Sequence, residues 1–124
     1  MVLDASALLA FLFQEEGSPA VAAALDGSCM SAVNLSEVLG LFARDGKDTR
    51  IVAGWLRQLP LEIVPFGRDE AAEAAALRSQ TDRHGLSLGD RACLSLGLAR
   101  GLPVLTADKV WKKIGLPLDI RLIR

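Results

Sequence analysis

The sequence predicts an α/β fold, with helices packed about a mainly parallel five-stranded sheet, and three observations carry that reading. Five short apolar runs, at residues 2–3, 28–31, 61–66, 103–106 and 120–123, have the length of strands. Helical patterns with recognisable ends stand between successive runs almost throughout, as expected for parallel strands joined by crossover helices. The 124 residues, 51% of them hydrophobic, suffice for one domain with one core and are too few for two.

Val2 and Leu3 make a short first strand that ends at Asp4. Ser6 is a candidate N-cap for an apolar helix through Phe13, ended by the Glu15-Glu16-Gly17 break. Ser18-Pro19 restarts a helix, with proline at its favoured first position, running to about Asp26. Ser28 to Ser31 reads as a buried second strand. Ser31 then caps a helix that carries Asn34, Glu37 and Leu41 along one stripe and stops near Gly46. Asp48 opens a helix with Ile51, Val52, Trp55, Leu56 and Leu59 at helical spacing, closed by Pro60. Leu61 to Phe66 is the third strand. Residues 69–84 read as the longest helix, acid-biased at its start, with Arg83 and His84 in its last turn and Gly85 as its stop. Ser87-Leu88-Gly89-Asp90 is a capping-box pattern leading into Ala92 to Ala99, with Gly101 as terminator. Pro103 to Thr106 is the fourth strand, Lys109 to Lys113 a short helix, and Ile120 to Ile123 a final strand at an edge.

Composition removes several classes of function. With a net charge of −1 and a pI near 5.8, no global basic field draws the protein onto nucleic acid. Such a substrate would need local basic patches or metal ions that bridge its phosphates. Cys29 and Cys93 lie far apart in apolar contexts without CxxC or zinc spacing, which predicts buried free thiols in a reducing cytoplasm. Met1 to Phe13 lacks a basic leader and is interrupted by Asp4, and no apolar run approaches the roughly 20 residues of a membrane span. A soluble, cytoplasmic protein is the expectation. The sole histidine, His84, is placed for a helix-end interaction, and there is no GxSxG elbow or GxGxxG loop. Gly40 to Lys47 has the wrong spacing and setting for a phosphate loop.

Four acids remain: Asp4, Glu37, Asp90 and Asp108. Three of them fall at strand-to-helix junctions, which in an open parallel sheet share the edge where ligands bind. Singly, Asp4, Asp90 and Asp108 have an ordinary explanation as helix caps, and Glu37 as a solvated helix residue. Together they repel one another and call for a cation. Glu37 is also flanked by Leu35, Val38, Leu39 and Leu41, an apolar setting in which an unpaired carboxylate is costly. Mg²⁺ and Mn²⁺ prefer such oxygen ligands, and one or two of them would bind a phosphodiester, acidify a water and stabilise the departing oxygen. Helix N-termini at Ser6, Ser87 and Asp108 would add positive dipole ends facing the phosphate.

These residues lie in stretches that resemble a known family: VLDASALLA at 2–10, SAVNLSEVLGLF at 31–42, LSLGDRACLSLGLARGLPVLTAD at 86–108, and the KVW that follows. Their order and separations are similar to those of PIN domains, and within these of the VapC-like toxins of type II toxin–antitoxin pairs. The resemblance implies a single PIN domain over residues 1–124, a Rossmann-like three-layer α/β/α sandwich, usually dimeric. It implies a Mg²⁺- or Mn²⁺-dependent endoribonuclease that hydrolyses RNA by metal-activated water, held in check by a cognate antitoxin lying across the active-site groove. Carried over by position, Asp4, Glu37, Asp90 and Asp108 match the family's catalytic and metal-binding quartet. Asp4 and Asp90 would hold the main ion, Glu37 would share it or orient the water, and Asp108 would complete the site or a second ion. Ser6, Thr106 and Asn34 match supporting polar positions. Arg91 and Lys109, each beside a proposed ligand, are the favoured RNA-backbone contacts. Three rivals stand beside this reading. A non-catalytic docking module would use the acids to bind a partner, and a DNA-directed nuclease would need the same acids. A receiver-like signalling module would need an acidic pair after the first strand, where only Asp4 is available.

Overall fold

The computed structural model, which describes residues 1–124, gathers the apolar runs into one all-parallel sheet. Its strands are β1 (Val2–Leu3), β2 (Ser28–Ser31), β3 (Leu61–Val64), β4 (Val104–Thr106) and β5 (Ile120–Leu122), in the order β3-β2-β1-β4-β5. The helices are α1 (Ala5–Leu12), α2 (Ser18–Leu25), α3 (Ala32–Arg44), α4 (Thr49–Leu56), α5 (Arg68–Ala76), the single turn α6 (Arg78–Thr81) and α7 (Leu88–Arg100). Two 3-10 segments follow α6 and β4, at Asp82–His84 and Lys109–Lys113.

Strand side chains alternate between the two faces, and each face has its own core. Leu3, Met30 and Leu105 pack with Leu8, Val21 and Val38 from α1, α2 and α3. Val2, Cys29, Val104 and Ile120 pack with Leu77, Leu94 and Trp111 on the other side. Helices therefore cover both faces, as a purely parallel sheet requires, and the central strands read as unbroken apolar runs for that reason. Gly97 lets α7 settle onto β4, since a Cβ there would stand 2.6 Å from Cγ2 of Val104. Both cysteines are free and buried, as their contexts predicted.

Three local expectations changed: the cap of α1, the helix over 69–84 and the turn over Lys109–Lys113. Asp4, not Ser6, stands at the N-cap position of α1, and its side chain makes no cap bond because it is engaged elsewhere. The helix expected over 69–84 breaks at Leu77. There the Leu77 N–H turns to the Ala74 carbonyl, and the buried Thr81 hydroxyl takes the Leu77 carbonyl at 2.9 Å, a back-bond that bends helices. Trp111 belongs to the core, whereas Trp55 on α4 is 62% exposed beside an exposed Ile51. The turn over Lys109–Lys113 is 3-10 in geometry, capped by Asp108. No helix is long and apolar enough to cross a membrane.

Candidate active site

β1 and β4 are neighbours in register, with Leu3 opposite Leu105, so the residues that follow them meet at the carboxyl edge of the sheet. The Asp4 N–H donates to the Leu105 carbonyl at 3.0 Å, which fixes the Asp4 side chain beside Thr106. Ser6 Oγ donates to Asp4 Oδ2 at 2.7 Å, and Thr106 Oγ1 donates to the same oxygen at 2.9 Å. Each hydroxyl has a single proton, so the 3.3 Å approach between Ser6 and Thr106 is a contact between two groups already committed to Asp4. The hydroxyls are held in turn by backbone donors: Ala107 N–H reaches Ser6 Oγ at 3.0 Å, and Asp108 N–H reaches Thr106 Oγ1 at 3.1 Å. Both hydroxyls donate to Oδ2, and no side chain donates to Oδ1.

Asp4 is 5% exposed, and burial pushes its carboxyl up from an ordinary 3.8 to about 6. The two hydroxyl bonds oppose the rise, and the nearby charge of Asp90 adds to it. Asp90 sits in the first turn of α7, where its Oδ2 accepts the Ser87 N–H at 2.9 Å and Ser87 Oγ accepts the Asp90 N–H at 3.2 Å. One turn further, the buried thiol of Cys93 is held well above its ordinary range, first by burial and then by the charges of Asp4, Asp90 and Glu37. All three carboxylates are near enough for their charge to bear on that thiol.

Glu37 is exposed on α3, not enclosed by the leucines that flank it in sequence. It is held by Asn34, fully buried one turn earlier, whose Nδ2 donates to Glu37 Oε1 at 2.8 Å and to the Gly89 carbonyl at 2.9 Å. Gly89 was not among the residues singled out from sequence, yet it touches both Asn34 and Glu37. The available signal was a glycine inside a helix's first turn, where alanine would be the better helix former. Asp108 is half-buried and turned toward its own helix turn, its Oδ1 accepting the Val110 N–H at 3.0 Å. Lys109 is exposed beside it. Arg91 is half-buried, with Nη1 donating to the Leu86 carbonyl at 3.2 Å and Nε buried without a partner.

The donor set is one of carboxylate oxygens, the chemistry of a hard divalent cation. A cation beside Asp4 would relieve both causes of its raised pKa, desolvation and the repulsion of Asp90. By that test the residues fit Mg²⁺ or Mn²⁺. As the side chains stand, no three acids, histidines or cysteines form a closed cage, because Asp90, Asp108 and Glu37 each turn toward a local donor. Nor do the four acids line any of the four cavities.

The PIN domain family matches residues 1–116. No curated protein matches the chain in sequence. Among solved structures, a toxin–antitoxin complex from Klebsiella pneumoniae is similar with a TM-score of 0.73 at 21% identity, over 99% of this chain and 97% of the other. The DNA-bound VapBC of Salmonella typhimurium has a TM-score of 0.71 at 17% identity, over 99% and 97%. FitAcB of Neisseria gonorrhoeae has 0.69 at 21%, over 96% and 94%. At these identities the likeness is one of fold.

Proposed function

The chain belongs to the PIN-domain family, and from that premise we propose that it is a Mg²⁺- or Mn²⁺-dependent endoribonuclease, the toxin of a type II toxin–antitoxin pair. The observation that carries the reading is Asp4, a buried carboxylate braced by two hydroxyls at the sheet's carboxyl edge and facing the charge of Asp90. A cap or a solvated acid needs no such bracing. Support for the antitoxin comes from the similar complexes of Klebsiella and Salmonella, described as a toxin–antitoxin complex and as VapBC.

In this account Asp4, Asp90 and Glu37 hold the cation, with Asp108 joining them when its side chain leaves the Val110 N–H. When bound, a divalent ion supplies positive charge to the scissile phosphate and acidifies water. Ser6 and Thr106 keep Asp4 in one orientation, and the backbone donors of Ala107 and Asp108 keep those hydroxyls turned inward. Glu37, exposed on α3, would share that ion or orient the attacking water. Lys109, Lys112 and Lys113 present exposed ammonium groups beyond Asp108 for the phosphates of the RNA. Arg91, tied to Leu86, contributes fixed charge at the start of α7.

Antitoxin docking fits the apolar ends of α1 and α3, where Phe13 is 49% exposed and stacks on Phe42 with ring centroids 5.5 Å apart. A homodimer, cytoplasmic residence and a single domain over residues 1–124 complete the proposal. A second reading, a docking module that cuts nothing, draws on the open arrangement of the acids. Cleavage of RNA and DNA oligonucleotides of one sequence decides among these. The proposal expects RNA cut in Mg²⁺ or Mn²⁺, DNA spared, and no cutting in EDTA. Equal cutting of DNA would move the assignment to a DNA-directed nuclease. No cutting, with no divalent-ion uptake by calorimetry, would leave the docking module.

A further inference from the structure

The carboxylate of Glu37 occupies the space where residue 89 would carry a side chain. A Cβ placed on Gly89 would stand 2.5 Å from Cδ and Oε2 of Glu37 and nearer still to Oε1. Its three nearest neighbours are all atoms of that one carboxyl group. Backbone conformation gives no other reason for glycine here, since Gly89 is not among the glycines with positive φ and lies inside α7, where alanine would be preferred. Asn34 holds the arrangement from the other side. Its Nδ2 faces two acceptors, Glu37 Oε1 and the Gly89 carbonyl, so the amide cannot be turned over. Its Oδ1 is left buried without a partner, a cost accepted to keep both bonds.

We propose that Gly89 is a positioning residue, a notch in α7 that seats the Glu37 carboxylate beside Asp90. It joins a ligand carried by α3 to the one that opens α7, with Asn34 as the clasp. The proposal rests on the nuclease reading, because the seated carboxylate is there to serve a divalent cation. It assigns the notch a consequence that the acids alone do not have: the smallest possible side chain at residue 89 evicts one ligand and leaves the others untouched.

Gly89→Ala, Glu37→Ala and the double variant test this by thermal melting in chelator and by calorimetric titration with Mn²⁺. Glu37 is exposed and free to swing into solvent, so Gly89→Ala melts at or above the wild-type temperature. Its Mn²⁺ affinity falls about ten- to a hundredfold, the usual loss when a group that orients a metal ligand is removed. Glu37→Ala shows a similar fall, and the double variant falls no further, because both changes remove the same carboxylate. Wild-type Mn²⁺ affinity in Gly89→Ala would overturn the proposal while leaving the nuclease reading intact. Multiplying losses in the double variant, or failure of Gly89→Ala to fold, would also overturn it. Wild-type protein that takes up no Mn²⁺ would refute the nuclease reading beneath it.

Discussion

Replacing Asp4 by asparagine exchanges a buried carboxylate for a neutral group of the same shape, and the pH dependence of its effect follows from the site. Asparagine Oδ1 can still accept the Ser6 and Thr106 hydroxyls that Oδ2 accepts now. The folded-state pKa of about 6 lies above the ordinary 3.8, so the folded protein holds this proton more tightly than the unfolded chain does. The stability this contributes is fully present below about pH 4 and is lost as pH rises through about 6. At about 1.36 kcal/mol per pH unit, the gap corresponds to roughly 3 kcal/mol. Asp4→Asn escapes that loss, so in chelator at pH 8 it should be about 1–3 kcal/mol more stable than wild type, the lower values allowing for imperfect amide packing. For a chain of this length that is a rise in melting temperature of roughly 3–9 °C. Urea denaturation at pH 4, 6 and 8 reads the effect directly: the advantage should be small at pH 4 and largest at pH 8. Mn²⁺ should stabilise wild type and not the variant. An advantage independent of pH, or a variant less stable than wild type at pH 8, would refute the reasoning.

Three other outcomes follow from the same geometry. Thr106→Val removes one of two hydroxyls on Asp4 and should raise the pH at which limiting Mn²⁺ ceases to bind, because proton and cation compete for that carboxylate; an unmoved Mn²⁺-binding pH profile would deny Thr106 its role. Neutralising Lys109, Lys112 and Lys113 together should flatten the dependence of log affinity on log salt by about 0.7 per lost phosphate contact, measured on catalytically silent protein with single-stranded RNA. Charged substitutions at Leu12 and Phe42 should abolish antitoxin binding in protein that still melts normally, and unchanged complex formation on a sizing column would remove the α1–α3 patch from consideration.

Much of the fold was legible because parallel sheets leave strong marks. Val2, Leu3, Val104 and Leu105 are buried on both faces and could only read as apolar, and Ser31, Asp48, Ser87 and Gly101 mark helix ends by local chemistry. The bend at Leu77 was hidden, since it depends on the Thr81 hydroxyl finding a carbonyl inside the core and not on any breaker residue. Helical spacing placed Ile51 and Trp55 on one stripe, but it does not say which side of α4 meets the protein. At the site, the meeting of Asp4 with Thr106 follows from β1 lying beside β4, and both residues were identifiable in sequence. Side-chain direction was not. The inward bracing of Asp4, the turning of Asp90 and Asp108 to backbone donors, and the seating of Glu37 against Gly89 are set by contacts between elements far apart in the chain.

The central claim is that this acidic edge cuts RNA with a divalent cation, and cleavage of total RNA by wild type and Asp90→Asn, each in Mg²⁺, Mn²⁺ and EDTA, tests it most directly. Asp90 carries the charge that bears on Asp4, and its replacement leaves the cores untouched. The account predicts discrete products from wild type in either metal, none in EDTA, and none from a variant that melts normally. Equal cleavage by folded Asp90→Asn, or products that form in EDTA, would contradict it.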